Sequence, residues 1–296
     1  MGMLFGSFSR RLALLAGLLS AALLVLLLRR PASLSTAQPD GAQPASSDAQ
    51  NSTLGFHKIL VLNTPQRRDR LRNMQALARH HSLRLEYPGT VGAQEADALA
   101  ESQGYLLRGT HLACYLSHLR ALRQVVARRL ATALILEDDV DLELDLKALH
   151  ARAMQQVHRT APDWDMLFLG HCTRDAREPD TGAGSGLEVY RAEYPMCLHA
   201  YAVSWECARR LVVLLEERLR TVGREIDLVL AVGVQFGVDT VLGVSPPYVV
   251  QVGRRELGSD LTAASEGDTG QHLRNSTLYH LGLRQSNPQT LAAYIG

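Results

Sequence analysis

The sequence predicts an α/β fold with a mostly parallel sheet, set behind an N-terminal transmembrane helix. Short apolar runs rich in β-branched residues alternate with amphipathic helical stretches, which is the pattern of βα units. One long apolar run stands near the N-terminus. The 296 residues suffice for one large or two small domains with a real core. Formal net charge is +1, so no strong field points to nucleic acid, and none is expected as a partner.

Leu12 to Leu28 is uninterrupted apolar sequence, with Arg10-Arg11 before it and Arg29-Arg30 after it. Its length is at the short end of what spans a bilayer. A cleaved signal peptide needs a small-residue cleavage site, and Leu26-Leu27-Leu28-Arg29-Arg30-Pro31 is a poor one. The run therefore reads as an uncleaved anchor (residues 12–28) behind a cytoplasmic tail (residues 1–11). Positive charge on both flanks leaves the positive-inside rule nearly silent on orientation.

Asn51-Ser52-Thr53 and Asn275-Ser276-Thr277 fit the glycosylation acceptor pattern and flank the expected domain. They suit a lumenal C-terminal portion on a secretory-pathway membrane, Golgi or endoplasmic reticulum. The four cysteines are Cys114, Cys172, Cys197 and Cys207. An oxidising lumen would allow up to two disulfides, in three possible connectivities. No Cys-x-x-Cys pair marks a structural zinc site.

Residues 31–54 are rich in Ala, Ser, Gln, Pro and Asp and read as a flexible stem. Order is expected from about Phe56. Ile59 to Leu62 is a buried strand, broken by Asn63-Thr64-Pro65. Arg67 to Arg79 is a helix with Leu71, Met74, Leu77 and Ala78 on one face. Leu83 to Tyr87 is a second strand, ended by Pro88-Gly89. Glu95 to Gln103 is a short helix. Leu112, Leu116, Leu119, Leu122 and Val126 recur at helical spacing. Ala133 to Leu136 is an apolar strand that runs into Glu137-Asp138-Asp139.

Beyond it, Leu146 to Val157 is helical and Met166 to Leu169 is a strand ended by Gly170. Residues 171–186 form a polar loop. Ala200 to Val203 is a strand, Cys207 to Leu219 an amphipathic helix, and Tyr248 to Val250 a last strand after Pro246-Pro247. Trp164 and Trp205 read as core residues rather than sugar platforms.

Three consecutive carboxylates ending an apolar strand sit where an open α/β sheet binds ligands. Alternate residues of an extended chain point the same way, so Glu137 and Asp139 would face one ion together, with Asp138 turned elsewhere. Carboxylate oxygens suit hard cations such as Mn²⁺ or Mg²⁺. The competing reading is a solvated acidic turn, which Asp141, Glu143 and Asp145 favour by continuing the run.

Several segments, in order, resemble glycosyltransferase family 25, the group of lipopolysaccharide-type and procollagen galactosyltransferases. Lys58 to Asn63 with Arg67, Arg68, Asp69 and Arg70 resembles its opening strand and turn. Ala113-Cys114-Tyr115-Leu116-Ser117-His118 is similar to its Gly-Cys-x-x-Ser-His segment, with Ala113 in place of the usual glycine. Ile135-Leu136-Glu137-Asp138-Asp139-Val140 matches its acidic motif, and Asp163 to Gly170 the strand after it. Ala200 to Ser204, Glu225-Ile226-Asp227 and Ser259-Asp260-Leu261 complete a domain of residues 56–261, followed by a tail of residues 262–296.

The resemblance implies a GT-A type, Rossmann-like sheet flanked by helices. It implies an inverting, metal-assisted transfer of a hexose, galactose being the family's usual sugar. The donor would be a nucleotide sugar, a UDP-sugar by expectation, and the acceptor a hydroxyl of a glycan or protein. On this reading Glu137 and Asp139 hold the metal. Asn63, Arg67, Arg70, His118 and Asp138 bind the donor; Arg suits bidentate phosphate contact. Asp227 is the candidate general base, with Glu225 its close rival and Asp239 weaker. Ser117 reads as structural, because adjacent helical residues do not face each other. The alternative is an inactive, glycan- or partner-binding member of the same fold, which would be expected to have lost the acidic cluster. A metal-dependent phosphohydrolase would need further ligands at later strand ends, and no clear set is present.

Overall fold

The computed structural model describes residues 52–172, 175–179, 186–233, 238–252 and 273–284. The expected anchor, the stem up to Asn51 and the Ser259-Asp260-Leu261 motif lie outside the described residues. Among the described residues, no helix is long and apolar enough to cross a membrane.

The chain runs β1 (Lys58–Leu62), α1 (Arg68–His81), β2 (Leu85–Glu86), α2 (Ala93–Gln103), α3 (Gly109–Ala127), β3 (Thr132–Glu137) and β4 (Val140–Leu142). It continues through α4 (Leu146–Thr160), β5 (Met166–Gly170), β6 (Glu188–Arg191), β7 (Ala200–Ser204), α5 (Trp205–Thr221), α6 (Ile226–Gly233), β8 (Val241–Ser245), β9 (Val249–Gln251) and α7 (Thr277–His280). Seven strands form one sheet in the order β2-β1-β3-β7-β5-β8-β6, and β4 pairs with β9 in a second, small one.

The expected parallel sheet needs one refinement. β2, β1, β3, β5 and β8 share a direction, but β7 runs antiparallel between β3 and β5, and β6 antiparallel along β8. Strand direction is not encoded in short runs that are buried on both faces. Among the described residues β6, and no helix, stands between β5 and β7, so β7 can lie beside β5 in the opposite sense.

The two faces of the sheet divide its residues by alternation. Leu60, Ile135 and Phe168 pack with α2, α3 and α5 in one core cluster. Their neighbours Ile59, Leu134 and Leu167 pack with α1, α4 and the small sheet in the other. With both faces covered, the strands had to be apolar throughout, which is why they are visible as unbroken runs. Trp164 is core, as expected, whereas Trp205 is half-buried at the start of α5 and donates its ring N–H to the Val126 carbonyl.

Three strands carried weak sequence signals. β8 contains Gly243, where a Cβ would collide with the Tyr190 ring; the glycine permits close packing rather than ending the strand. Edge strand β6 is half exposed, and β4 carries an acidic residue at its centre. In α1 the inward face is Arg70, Met74, Leu77 and His81; Leu71 and Ala78 are only half-buried.

Leu134 lies mid-strand in β3 and is 1% exposed. Leu134→Ala should lower the free energy of unfolding by about 3 kcal/mol, the usual cost of an unfilled core cavity. Urea denaturation checks this, and a loss below about 1 kcal/mol would contradict the assigned packing.

Candidate active site

β1 and β3 pair in parallel with Leu62 opposite Glu137, so Asn63 and the acidic residues emerge side by side at the carboxyl ends of adjacent strands. There the three acids border a cleft of about 580 Å³, whose wall also includes Arg67, Arg70 and His118 but not Asn63.

β3 ends at Glu137, and Asp138 and Asp139 form a turn. The expected alternation therefore does not extend past Glu137, and the three carboxylates are placed by their separate partners. Asp138 and Asp139 share one cation: Arg70 Nη1 lies 2.8 Å from Asp138 Oδ1 and 3.2 Å from Asp139 Oδ2. Asn63 Nδ2 donates to Asp138 Oδ2 at 2.7 Å. Glu137 turns to α3, where its Oε1 is 3.2 Å from His118 Nε2. His118 Nδ1 is in turn 3.2 Å from the Tyr201 hydroxyl. Thus His118, Arg70 and Asn63 each meet an acid of the turn. Arg67 lies at the cleft wall and forks onto Asp69, holding that carboxyl at about 2.

The charge balance is uneven, since one buried arginine faces three carboxylates. Burial raises Asp138, with Arg70 opposing it. Burial also acts on Glu137, but the His118 hydrogen bond and nearby positive charge outweigh it and hold Glu137 below its ordinary value. Asp139 carries the imbalance: burial, then the charge of Glu137, pushes it up to about 7. It is 8% exposed, Gln251 Nε2 donates to its Oδ2 at 3.2 Å, and its Oδ1 has no hydrogen-bond partner among the described residues. A buried acceptor without a partner, beside two more carboxylates, fits a cation.

The expected base positions separate. Asp227 sits in the first turn of α6, raised by burial and by the charges of Glu137 and Glu225; the Cys114 thiol is raised by burial, then by the charges of Glu137 and Asp227. The side chain of Glu225 is 44% exposed and lies 3.9 Å from His111 Nδ1. Asp239 is exposed and borders a different, smaller cavity. Ser117 is structural, accepting from the Val91 N–H and donating to the Ala113 carbonyl. Asn275 is exposed, as a modification site requires, while Asn51 lies outside the described residues.

Sequence reasoning missed Gln251 and misread two of the remaining acids, Asp145 being exposed as a solvated turn requires. Gln251, the polar residue closing an apolar strand, was the available signal. Asp141 and Glu143, read as favouring a solvated turn, are 0% and 5% exposed. Of the cysteines, Cys172 and Cys197 form a disulfide, which Cys114 and Cys207 do not share.

The model for "Glycosyltransferase family 25 (LPS biosynthesis protein)" matches residues 92–218. Procollagen galactosyltransferase 2 of Mus musculus is 27% identical over 177 residues, 54% of this chain and 28% of its own. The inactive glycosyltransferase 25 family member 3 of Homo sapiens is 30% identical over 181 residues, 54% of this chain and 29% of its own. The matched region thus spans less than a third of these relatives' length. A solved glycosyltransferase involved in the glycosylation of the major capsid of PBCV-1 aligns with 63% of this chain and 79% of its own, at 11% identity and a TM-score of 0.39. The family model and the curated relatives show the sequence resemblance to family 25, and the matched stretch contains α3 and the acidic turn.

In the native state Asp139 binds its proton more tightly than in the unfolded chain, where the ordinary value is 3.8. The stability this proton binding provides is complete below about pH 4 and is lost as pH rises towards 7. In metal-free buffer, Asp139→Asn should exceed the parent in stability at about pH 8 by up to about 4 kcal/mol, the gap shrinking towards about pH 4. Denaturation midpoints across that range check it; parallel curves would contradict the buried, repelled carboxylate.

Proposed function

We propose that this chain, with its family 25 resemblance, is an inverting glycosyltransferase that moves a hexose from a nucleotide sugar to an acceptor hydroxyl. The observation that carries the reading is the unpartnered, buried Asp139 Oδ1 in a cleft at the end of β3. The names of the galactosyltransferase relatives favour galactose as the sugar and a protein as acceptor.

Glu137 and Asp139 are the residues that would hold a divalent cation, Mn²⁺ or Mg²⁺. Their oxygen donors suit a hard ion, and the excess of negative charge favours one. When bound, such an ion offsets the charge of the departing diphosphate. Arg67, at the cleft wall, offers guanidinium N–H groups to a phosphate. Arg70 restrains Asp138 and Asp139 from below, so the turn keeps its shape as the donor enters. Asp227 takes the proton of the acceptor hydroxyl as that oxygen attacks the anomeric carbon; burial strengthens it as a base.

We further place the domain in a secretory lumen behind the Leu12 to Leu28 anchor. The Cys172–Cys197 disulfide supports an oxidising compartment. One observation favours a second reading, a donor-binding but inactive protein: a relative of similar match carries the name inactive. Retention of all three acids favours turnover.

The decisive measurement is nucleotide release from a panel of nucleotide sugars, with and without Mn²⁺. One donor should turn over in a metal-dependent way, and Asp139→Ala should slow it at least about 100-fold while the fold persists. Asp227→Asn should lower kcat by about 100-fold or more with donor KM little changed. Metal-dependent donor binding without release would establish the inactive reading, and wild-type rates in Asp139→Ala would remove the metal assignment.

A further inference from the structure

The acidic run does not stop at the cleft. Val140 and Leu142 of β4 point into the core, so Asp141 and Glu143 face the other way. Both are buried, and both are satisfied by the segment of residues 273–284. Asp141 accepts from the Ser276 hydroxyl and from the Leu278 N–H at 3.1 Å, and lies 3.3 Å from Arg284 Nη1. Glu143 accepts from the backbone N–H groups of Arg274 and Asn275. The Leu144 N–H donates back to the Asn275 carbonyl at 2.9 Å.

The same segment also reaches α1. Thr277 is 0% exposed, and its Oγ1 lies 3.0 Å from His81 Nε2. Leu278 enters the core cluster shared by α1 and β4. α1 carries Arg70, and β4 begins one residue after Asp139. From the other edge, β9 pairs with β4, Gln251 holds the Asp139 carboxylate, and the Val252 N–H donates to the Asp139 carbonyl at 2.7 Å.

We propose that residues 273–284 are a buttress that positions the acidic turn, with Asp141, Glu143 and Ser276 as positioning residues. The segment ties β4 to α1 and so sets Asp139 against Arg70. The cation-binding consequence rests on the proposed function; the mechanical one does not.

The test compares the full chain with Glu143→Gln and with Ser276→Ala, each of which removes part of the tie while keeping the core. The first readout is amide hydrogen exchange of residues 137–144, with β1 as the internal reference. The second is Mn²⁺ affinity, from the electron spin resonance signal of the free ion. Exchange should quicken at least about tenfold in residues 137–144 and remain unchanged in β1. Mn²⁺ affinity should fall at least about fivefold. Unchanged exchange in residues 137–144 would overturn the buttress. Faster exchange with unchanged Mn²⁺ affinity would overturn the positioning role and leave a purely structural tie. If the parent binds no Mn²⁺, the metal assignment falls on its own, and exchange still decides whether the segment restrains the turn.

Discussion

Arg70 against the acidic turn is the interaction around which the rest of the site is arranged. A buried guanidinium among carboxylates is stable only when its partners are fixed in place. The fold fixes them from several sides. α1 buries Arg70 on the same face as Met74 and Leu77, so apolar packing sets the height of the cation. Parallel pairing of β1 with β3 brings Asn63 beside Asp138. Gln251 reaches Asp139 from β9, and His118 takes Glu137 away towards α3. Each partner comes from a different element, so the turn has one arrangement only when the whole sheet is assembled.

That arrangement satisfies geometry while leaving charge unbalanced. Asp138 has two donors and Glu137 has an imidazole, whereas Asp139 shares a guanidinium already engaged by its neighbour and leaves one oxygen without a partner. The raised proton affinity of Asp139 is the electrostatic expression of that deficit. A proton answers that deficit, and the proposed metal ion would compete with it. A site of this kind is therefore set against neutral pH by its own repulsion, and burial, which removes solvent from the carboxylate, is what gives the repulsion its size.

How much of this was legible in the sequence follows from the same physics. Strands covered on both faces must be apolar, so Ile59 to Leu62, Ala133 to Leu136 and Met166 to Leu169 were readable as runs. The place of the acidic cluster was readable too, because it ends one of those runs. The antiparallel sense of β7 was not, since direction depends on a connection rather than on composition. β8 was hidden by Gly243, whose role is to make room for Tyr190. Among the site residues, the neighbours of the acids were better anticipated than their pairings. Alternation is a rule for extended chain, and the chain turns directly after Glu137.

The least legible feature was the division of labour within one acidic stretch. Asp141, Glu143 and Asp145 read as a continuation of the acidic run, for which solvation is the ordinary explanation. Period-two geometry and long-range partners split it. Glu137, Asp138 and Asp139 meet the cleft because a strand ends there. Asp141 and Glu143 are buried because backbone N–H groups and side chains from more than a hundred positions further along the chain supply their hydrogen bonds. No local pattern can announce a partner at that separation. Charges of one sign thus have two physical fates a few residues apart: those whose bonds are all supplied by protein hold the framework together, and the one left with an empty acceptor is the place where chemistry from outside the chain can enter.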